Sequence, residues 1–302
     1  MITMEIIKIY DDTKLKNEDK LAICLGTFDG MHSGHKSLAL ETVKTAEENS
    51  LIPAAAVFEP ENFSEKIITS EKKYEILSAL GIERIYVFYL TEKFRNTSPE
   101  AFVKEWLSES LNACSIVCGF NYTFGKNKQG TASTLLELSC KYGFSLTVKD
   151  GVKRDGIIVS STVIRNFLKN GEIKKANEFS GYIYNISGKV EQGNHIGRTL
   201  DFPTANVYFD KMSVKLKRGV YLSETDVDGK LYKSITNVGN APTFGEKKYL
   251  SETHIIGFEG DIYGEEITVY FYDFLREEKK FTSPDELIET IKNDIKNAEL
   301  MR

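Results

Sequence analysis

An α/β domain with a parallel sheet, followed by an antiparallel β domain closed by a helix, is the fold class this sequence predicts. Three observations carry the prediction. Up to about Gly181, short apolar runs alternate with amphipathic ones. Beyond it come short runs of β-branched and aromatic residues separated by turns. A capped amphipathic segment ends the chain. Alternating strand and helix signals argue for a parallel sheet covered by helices. Closely spaced short strands argue for an antiparallel barrel or sandwich. A chain of 302 residues is long enough for both domains, and the composition shift sets them at 1–181 and 182–302.

In the first domain Leu21–Gly26 reads as a buried strand and His35–Asn49 as a helix with Leu38, Val43 and Ala46 among its apolar positions. Ile52–Phe58 is a second strand, Glu71–Leu80 a helix that stops at Gly81, and Arg84–Leu90 a third strand. Ser98-Pro99-Glu100 opens a helix with a capping hydroxyl and Pro at the first helical position. Ser115–Gly119 and Phe144–Val148 are strands on either side of a helix, Thr131–Tyr142. In the second domain Val207-Tyr208-Phe209, Gly219-Val220-Tyr221-Leu222 and Ile267-Thr268-Val269-Tyr270-Phe271 are strand-like, and Asp228-Gly229 marks a hairpin turn. The closing helix begins at Ser283-Pro284-Asp285-Glu286, and Leu287, Ile288 and Ile291 share a face.

Composition excludes several function classes. The net charge of −5 gives no electrostatic support for nucleic-acid binding. No apolar run reaches the roughly 18 residues a membrane span needs, and Met1 to Lys20 lacks the apolar core of a signal segment. Cys24, Cys114, Cys118 and Cys140 have no CxxC spacing, so reduced, buried thiols in a cytoplasmic protein are expected. Small molecules are the expected partners.

Chemistry concentrates first in Leu25-Gly26-Thr27-Phe28-Asp29-Gly30-Met31-His32-Ser33-Gly34-His35. Two of the chain's four histidines sit here, three residues apart, between a strand and a helix. That geometry aims backbone N–H groups and a positive dipole end at a phosphate. Imidazoles placed there can meet the charge of a phosphoryl-transfer transition state. Gly26 and Gly30 permit a sharp turn, and Asp29 is expected to cap it. Both this loop and 119–130 should lie beyond the carboxyl ends of the strands, where open parallel sheets bind ligands. A second segment, Val159-Ser160-Ser161-Thr162-Val163-Ile164-Arg165, opens a helix with three hydroxyls. Ser161 and Arg165 share a helical face, so the guanidinium can reach back toward an anion at the helix start.

In the second domain Gly197-Arg198-Thr199-Leu200-Asp201-Phe202-Pro203-Thr204-Ala205-Asn206 follows a glycine-punctuated stretch. Thr204 and Asn206 are two apart and point the same way on an extended segment. Two neutral oxygens would suit Mg²⁺ shared with ATP.

Residues 25–35 and 160–165 resemble the H-x-G-H and S-S-T-x-x-R motifs of the prokaryotic bifunctional riboflavin kinase/FMN adenylyltransferase (FAD synthetase) family. Cys118 to Gly125 resembles its G-x-(D/N)-(F/Y)-x-F-G segment. Gly197–Asn206 resembles the G-R-x-L-G-F-P-T-A-N element of its kinase half, with Asp201 at the usual glycine. Asn237-Val238-Gly239-Asn240-Ala241-Pro242-Thr243-Phe244, Glu252-Thr253-His254, Asp261-Ile262-Tyr263-Gly264 and Leu275-Arg276 match as well.

The resemblance implies a Rossmann-like nucleotidyltransferase domain and a riboflavin-kinase β-barrel with a terminal helix. It implies phosphorylation of riboflavin to FMN and adenylylation of FMN to FAD, both from ATP. His32, His35 and Arg165 would act in adenylyl transfer, and Glu252 would be the base for riboflavin. Gly26, Phe28, Asp29, Asn121, Ser161, Thr162, Gly197 and Arg198 would bind nucleotide, Arg276 the flavin, and Thr204 and Asn206 the Mg²⁺. His195 and His254 are expected to be structural. Two positions depart from the pattern. Glu61-Asn62 stands where the family has His-Pro, and Val163 stands at an arginine position. These departures motivate one alternative, a kinase with a degenerate adenylyltransferase half; a non-catalytic flavin-binding regulator is the other.

Overall fold

The computed structural model describes residues 4–61, 65–192, 202–241 and 248–301. The chain divides into two compact units, Met1–Ser161 and Thr162–Arg302, so the break falls earlier than the composition shift at Gly181.

The first unit is built on a six-stranded parallel sheet of β1 (Glu5–Ile9), β2 (Leu21–Gly26), β3 (Ile52–Pro60), β4 (Arg84–Leu90), β5 (Ala113–Gly119) and β6 (Ser145–Lys149). Its order is β1-β4-β3-β2-β5-β6, and every neighbouring pair is parallel. Helices α1 (Ser33–Asn49), α2 (Ser70–Ala79) and α3 (Ala132–Tyr142) connect strands as expected. Strand alternation divides the core in two. Ile23, Leu25, Phe58 and Phe88 pack with Phe102, Leu107 and Leu135 on one face. Cys24, Val57, Val87 and Val117 pack with Leu38, Ala39 and Leu77 on the other. Strands buried on both faces are the reason these runs read as continuously apolar.

Strand β1 was not expected. Glu5-Ile6-Ile7-Lys8-Ile9 mixes charge with isoleucine because it is an edge strand, hydrogen-bonded to β4 alone. The cysteines also differ from expectation. All four are free and Cys24 and Cys118 are buried, but Cys114 is half-buried and Cys140 exposed. Cys140 sits near the end of α3, where the helix turns a face to solvent. Burial pushes the Cys24 thiol up to about 12, which keeps it protonated and unreactive.

The second unit carries a six-stranded sheet of β7 (Asn185–Lys189), β8 (Ala205–Tyr208), β9 (Gly219–Val227), β10 (Lys230–Ala241), β11 (Lys248–Ile255) and β12 (Glu266–Arg276). Its order is β7-β12-β9-β10-β11-β8, antiparallel throughout. Glu191, just past β7, bridges to Asn206 of β8, so the two outer strands meet and the sheet curls toward a barrel. Asp228 and Gly229 both have positive φ (53° and 79°), the type I′ turn that matches strand twist. On the interior face Ser223, Thr225, Ser234, Thr236 and Thr253 are fully buried. Their hydroxyls bond one another at 2.8–3.0 Å.

Helices α4 (Ser161–Asn170) and α5 (Ile173–Ser180) precede this sheet. The Asn177 amide ties α5 to it, donating to the Phe271 carbonyl and accepting from Tyr184 N–H, both at 2.8 Å. Helix α6 (Pro284–Glu299) ends the chain. Ser283 caps it by accepting from Glu286 N–H, and the Glu286 carboxylate reaches back to Thr282.

One buried ion pair fixes the carboxyl end of β3. Glu59 and Lys73 are 6% and 4% exposed and meet at 2.7 Å. Lys66 approaches Glu59 at 3.5 Å, and the Ser70 hydroxyl donates to it at 3.0 Å. Burial pushes the Glu59 carboxyl up, but Lys73, Lys66 and Ser70 outweigh it and hold the group below the usual range. Burial dominates at Lys73 and holds its ammonium below the usual value despite Glu59.

Lys73→Met leaves the Glu59 charge buried with weaker compensation, and we expect it to destabilise the first unit by about 3–5 kcal/mol. The double variant Glu59→Gln, Lys73→Met should recover most of that. The single tryptophan, Trp106, lies in this unit, so its fluorescence during urea unfolding reports the comparison. Equal losses in the single and double variants would exclude the uncompensated charge as the cause. Because folded Glu59 titrates below its unfolded value, the stability that this carboxylate contributes is present above about pH 4.3 and is lost as pH falls through the folded value.

Candidate active sites

In the first unit the histidine turn leaves β2 at the point where strand order reverses. From β2 the chain runs outward through β3 and β4, then crosses to β5 on the other side of β2. Such switch points open a crevice beyond the carboxyl ends of the strands. The turns after Gly26 and Gly119 leave neighbouring parallel strands at that edge, as expected.

The turn is built around three positive φ values, at Phe28 (52°), Gly30 (77°) and Met31 (35°). Phe28 and Met31 tolerate them because their side chains are fully buried and anchor the turn from below. A Cβ on Gly30 would meet Ile67 at 2.9 Å. His32 is the N-cap of α1, its Nδ1 accepting from His35 N–H at 3.4 Å. A neutral ring that accepts at Nδ1 carries its proton on Nε2. The two imidazoles stack with centroids 3.8 Å apart and planes at 20°, and Phe28 packs on His35 at 5.4 Å. The glycine between the histidines has a steric reason: a Cβ on Gly34 would stand 3.2 Å from the His32 ring.

Asp29 reaches beyond its own turn. Its carboxylate accepts from Ile67 N–H at 2.9 Å, and its carbonyl accepts from the Ser161 hydroxyl at 2.7 Å. It is 2% exposed and joins three separate segments. The structure thus brings Ser161 directly onto the histidine turn, with its hydroxyl engaged by backbone. Thr162 and Arg165 follow in α4 within the second unit. Asn121 is exposed just beyond β5, with its Oδ1 above Gly119. Of the neighbouring aromatics, Phe124 is buried and Tyr122 stacks on it, while Phe120 is exposed.

In the second unit the site is set by strand register. Asn206 pairs with Glu252, Glu252 with Asn237, Asn237 with Val220, and Val220 with Arg276. Directly opposed residues share a face, so these five form one row across five strands on the outer face of the sheet. Thr204 lies just before β8. A cavity of about 410 Å³ opens over the row, lined by Thr204, Asn237, Glu252, His254, Arg276 and Ile291 of α6 among others. A smaller one beside it is lined by Thr204, Asn206, Thr253, Phe258, Asp261 and Tyr263. Thr204 borders both.

Asn206 is 4% exposed, and its buried Oδ1 has no hydrogen-bond partner among the described residues. Two neutral oxygens facing a cavity, one of them unpaired, fit a hard cation such as Mg²⁺. Glu252 is exposed and accepts from Asn237 Nδ2 at 3.2 Å. The ring of His254 bonds the Pro203 carbonyl through Nδ1 at 3.0 Å, and Phe202 packs edge-on against it at 5.6 Å. It fastens the segment that bears Thr204 to the strand that bears Glu252. Arg276 lines the larger cavity, but its guanidinium grips Asp294 of α6 in a paired contact at 2.7 and 3.0 Å. Sequence reasoning noted Asn237 only as the start of a family-like segment, with no role, and missed Asp294; each pairs with a residue distant in the chain. Gly197, Arg198, Asp201 and His195 lie outside the described residues.

Residues 14–163 match the FAD synthetase family model and residues 180–301 the riboflavin kinase model. A bifunctional riboflavin kinase/FMN adenylyltransferase of Bacillus subtilis (strain 168) is 33% identical over 98% of this chain and 97% of its own length. One from Listeria monocytogenes is 33% identical over 90% and 89%. A crystal structure from Streptococcus pneumoniae, described as a macrolide-efflux protein, superposes with a TM-score of 0.89 at 28% identity, covering 99% of this chain and all of that one. Among the described residues here, no helix is long and apolar enough to cross a membrane. With two matching family models and full-length relatives above 30% identity, the chain belongs to the bifunctional riboflavin kinase/FMN adenylyltransferase family.

Proposed function

We propose that this chain makes FAD from riboflavin in two ATP-dependent steps at separate sites, residues 1–181 carrying the adenylyl transfer and 182–302 the kinase. The observation that carries the reading is the row Asn206, Glu252, Asn237 beside a cavity, together with a stacked histidine pair at a helix N-terminus.

In the kinase step Glu252 accepts the proton of the ribityl 5′-hydroxyl as that oxygen attacks the γ-phosphorus of ATP and ADP leaves. A carboxylate on an open cavity is within reach of such a hydroxyl. Thr204 and Asn206 would hold Mg²⁺. When bound, the ion offsets charge on the ATP phosphates. Gly197 and Arg198 would close over those phosphates. Arg276 borders the flavin and, through Asp294, keeps α6 as the far wall of the cavity.

In the second step a phosphate oxygen of FMN attacks the α-phosphorus of ATP, and pyrophosphate leaves. Little covalent chemistry is required of the protein, so positioning and charge stabilisation carry the rate. The N–H groups at the start of α1, with His32 and His35, meet the developing charge, and Arg165 adds a guanidinium. Gly26, Phe28 and Asp29 shape the turn, while Asn121, Ser161 and Thr162 flank the nucleotide. Glu61, Asn62 and Val163 motivate the kinase-only alternative.

Incubation with riboflavin, ATP and Mg²⁺, followed by chromatographic separation of flavins, should yield FMN and then FAD. FMN alone would select the kinase-only reading. His32→Ala with His35→Ala should slow FAD formation from supplied FMN by on the order of a hundred-fold or more, with riboflavin phosphorylation unchanged. Glu252→Gln should slow phosphorylation by roughly 10²–10⁴ and leave adenylylation of supplied FMN intact. Loss of both reactions in either folded variant would overturn the two-site assignment.

A further inference from the structure

Glu252 stands on the outer, solvent-facing side of β11, at the end of a long side chain with three rotatable bonds. A base in that position needs something to aim it. Among the described residues, two cationic side chains line the same cavity, Arg276 and Lys279. Each is already committed to an acid of α6, Arg276 to Asp294 at 2.7 Å and Lys279 to Glu286 at 2.6 Å. Among the described residues, the group that reaches the Glu252 carboxylate is a neutral one. Asn237 Nδ2 donates to Glu252 Oε2 at 3.2 Å.

The Asn237 backbone is fixed from both sides, by Glu252 of β11 and by Val220 of β9. Its side chain therefore springs from a rigid ladder, whereas that of Glu252 would otherwise sample several rotamers. We infer that Asn237 is a positioning residue for the phosphoryl transfer: its amide pins Glu252 Oε2, so that Oε1 is the oxygen presented to the ribityl hydroxyl. A neutral donor suits this task. A lysine or arginine there would hold the carboxylate in an ion pair, whereas the amide orients it and leaves the second oxygen to accept a proton.

The inference rests on the base reading of Glu252, and the test separates the two. With the full-length protein, initial rates of FMN formation from riboflavin, ATP and Mg²⁺ are measured for Asn237→Ala, Asn237→Asp and Glu252→Gln. Riboflavin binding is followed by flavin fluorescence. Asn237→Ala should lower kcat about ten-fold, the scale of one hydrogen bond to a charged group. The KM for riboflavin and the binding signal should stay within about three-fold, since the amide acts through the base rather than on the substrate. Asn237→Asp keeps the shape but sets a second carboxylate against Glu252, so it should be slower than Asn237→Ala. A purely structural role predicts the reverse order, because the isosteric change is then the milder one.

Asn237→Asp matching or exceeding Asn237→Ala overturns the inference. So does loss of riboflavin binding in both variants, or a rise in KM at unchanged kcat. If Glu252→Gln is inactive and Asn237→Ala is fully active, positioning fails alone. If Glu252→Gln keeps the normal kcat, the base reading fails and the inference falls with it.

Discussion

The antiparallel register of β8, β11, β10, β9 and β12 is the constraint on which the second half of this protein rests. Asn206, Glu252 and Asn237 lie far apart in sequence, and only strand pairing brings them to successive spacings of about 4.8 Å. A slip of one residue would turn every side chain in the slipped strand to the opposite face. The interior face makes such a slip expensive. Thr236 and Thr253 are fully buried and bonded to each other, and Ser223 bonds both Ser234 and Thr236. Moving Glu252 inward would exchange a satisfied hydroxyl for a buried carboxylate with no partner, the costlier outcome by far. The hydroxyl ladder inside and the row of Asn206, Glu252 and Asn237 outside are therefore two readings of one register. Helix α6 closes over the row, and the Arg276–Asp294 contact and the Ser283 cap hold it there.

The first half works by a different logic. Its histidines are three residues apart, and their stacking, the N-cap and the glycine between them are all local consequences of the turn. What is not local is the support. Asp29 ties the turn to residue 67 through its carboxylate and to residue 161 through its carbonyl. A buried carboxylate that accepts a backbone N–H fixes loop geometry more tightly than a surface cap can. The crevice itself is a topological product, since β2 is where strand order reverses.

These two logics explain what was legible in the sequence. The histidine turn, the Asp228-Gly229 hairpin and the Ser283 cap are governed by neighbours in the chain, and each could be read directly. The alternation of strand and helix was legible for the same reason. The partners of Asn237, Asp294 and Glu59 were not, because each lies 14 or more residues away. Strand β1 was hidden because an edge strand needs no apolar run. Asp29 was singled out as part of the turn, but its bond to a distant segment was not foreseen. Short-range capping was the expectation, whereas the bond to Ile67 N–H, 38 residues on, leaves no local signal. Arg276 was read as a flavin contact; it does border the cavity, yet its guanidinium is committed to a helix the local motif does not contain.

The departure at Glu61-Asn62 takes on a different weight beside the Glu59 cluster. The last well-buried residue of β3 is Glu59, which gathers Lys73, Lys66 and Ser70 around its carboxylate. Those partners all come from residues 66–73, the stretch whose Ile67 N–H reaches Asp29. The strand end, the returning segment and the histidine turn are thus joined through two buried carboxylates, Glu59 and Asp29. Neither of these contacts involves Glu61. The support of the histidine turn thus rests on Asp29 and Glu59 rather than on Glu61, so the departure at that position leaves these two buried contacts in place.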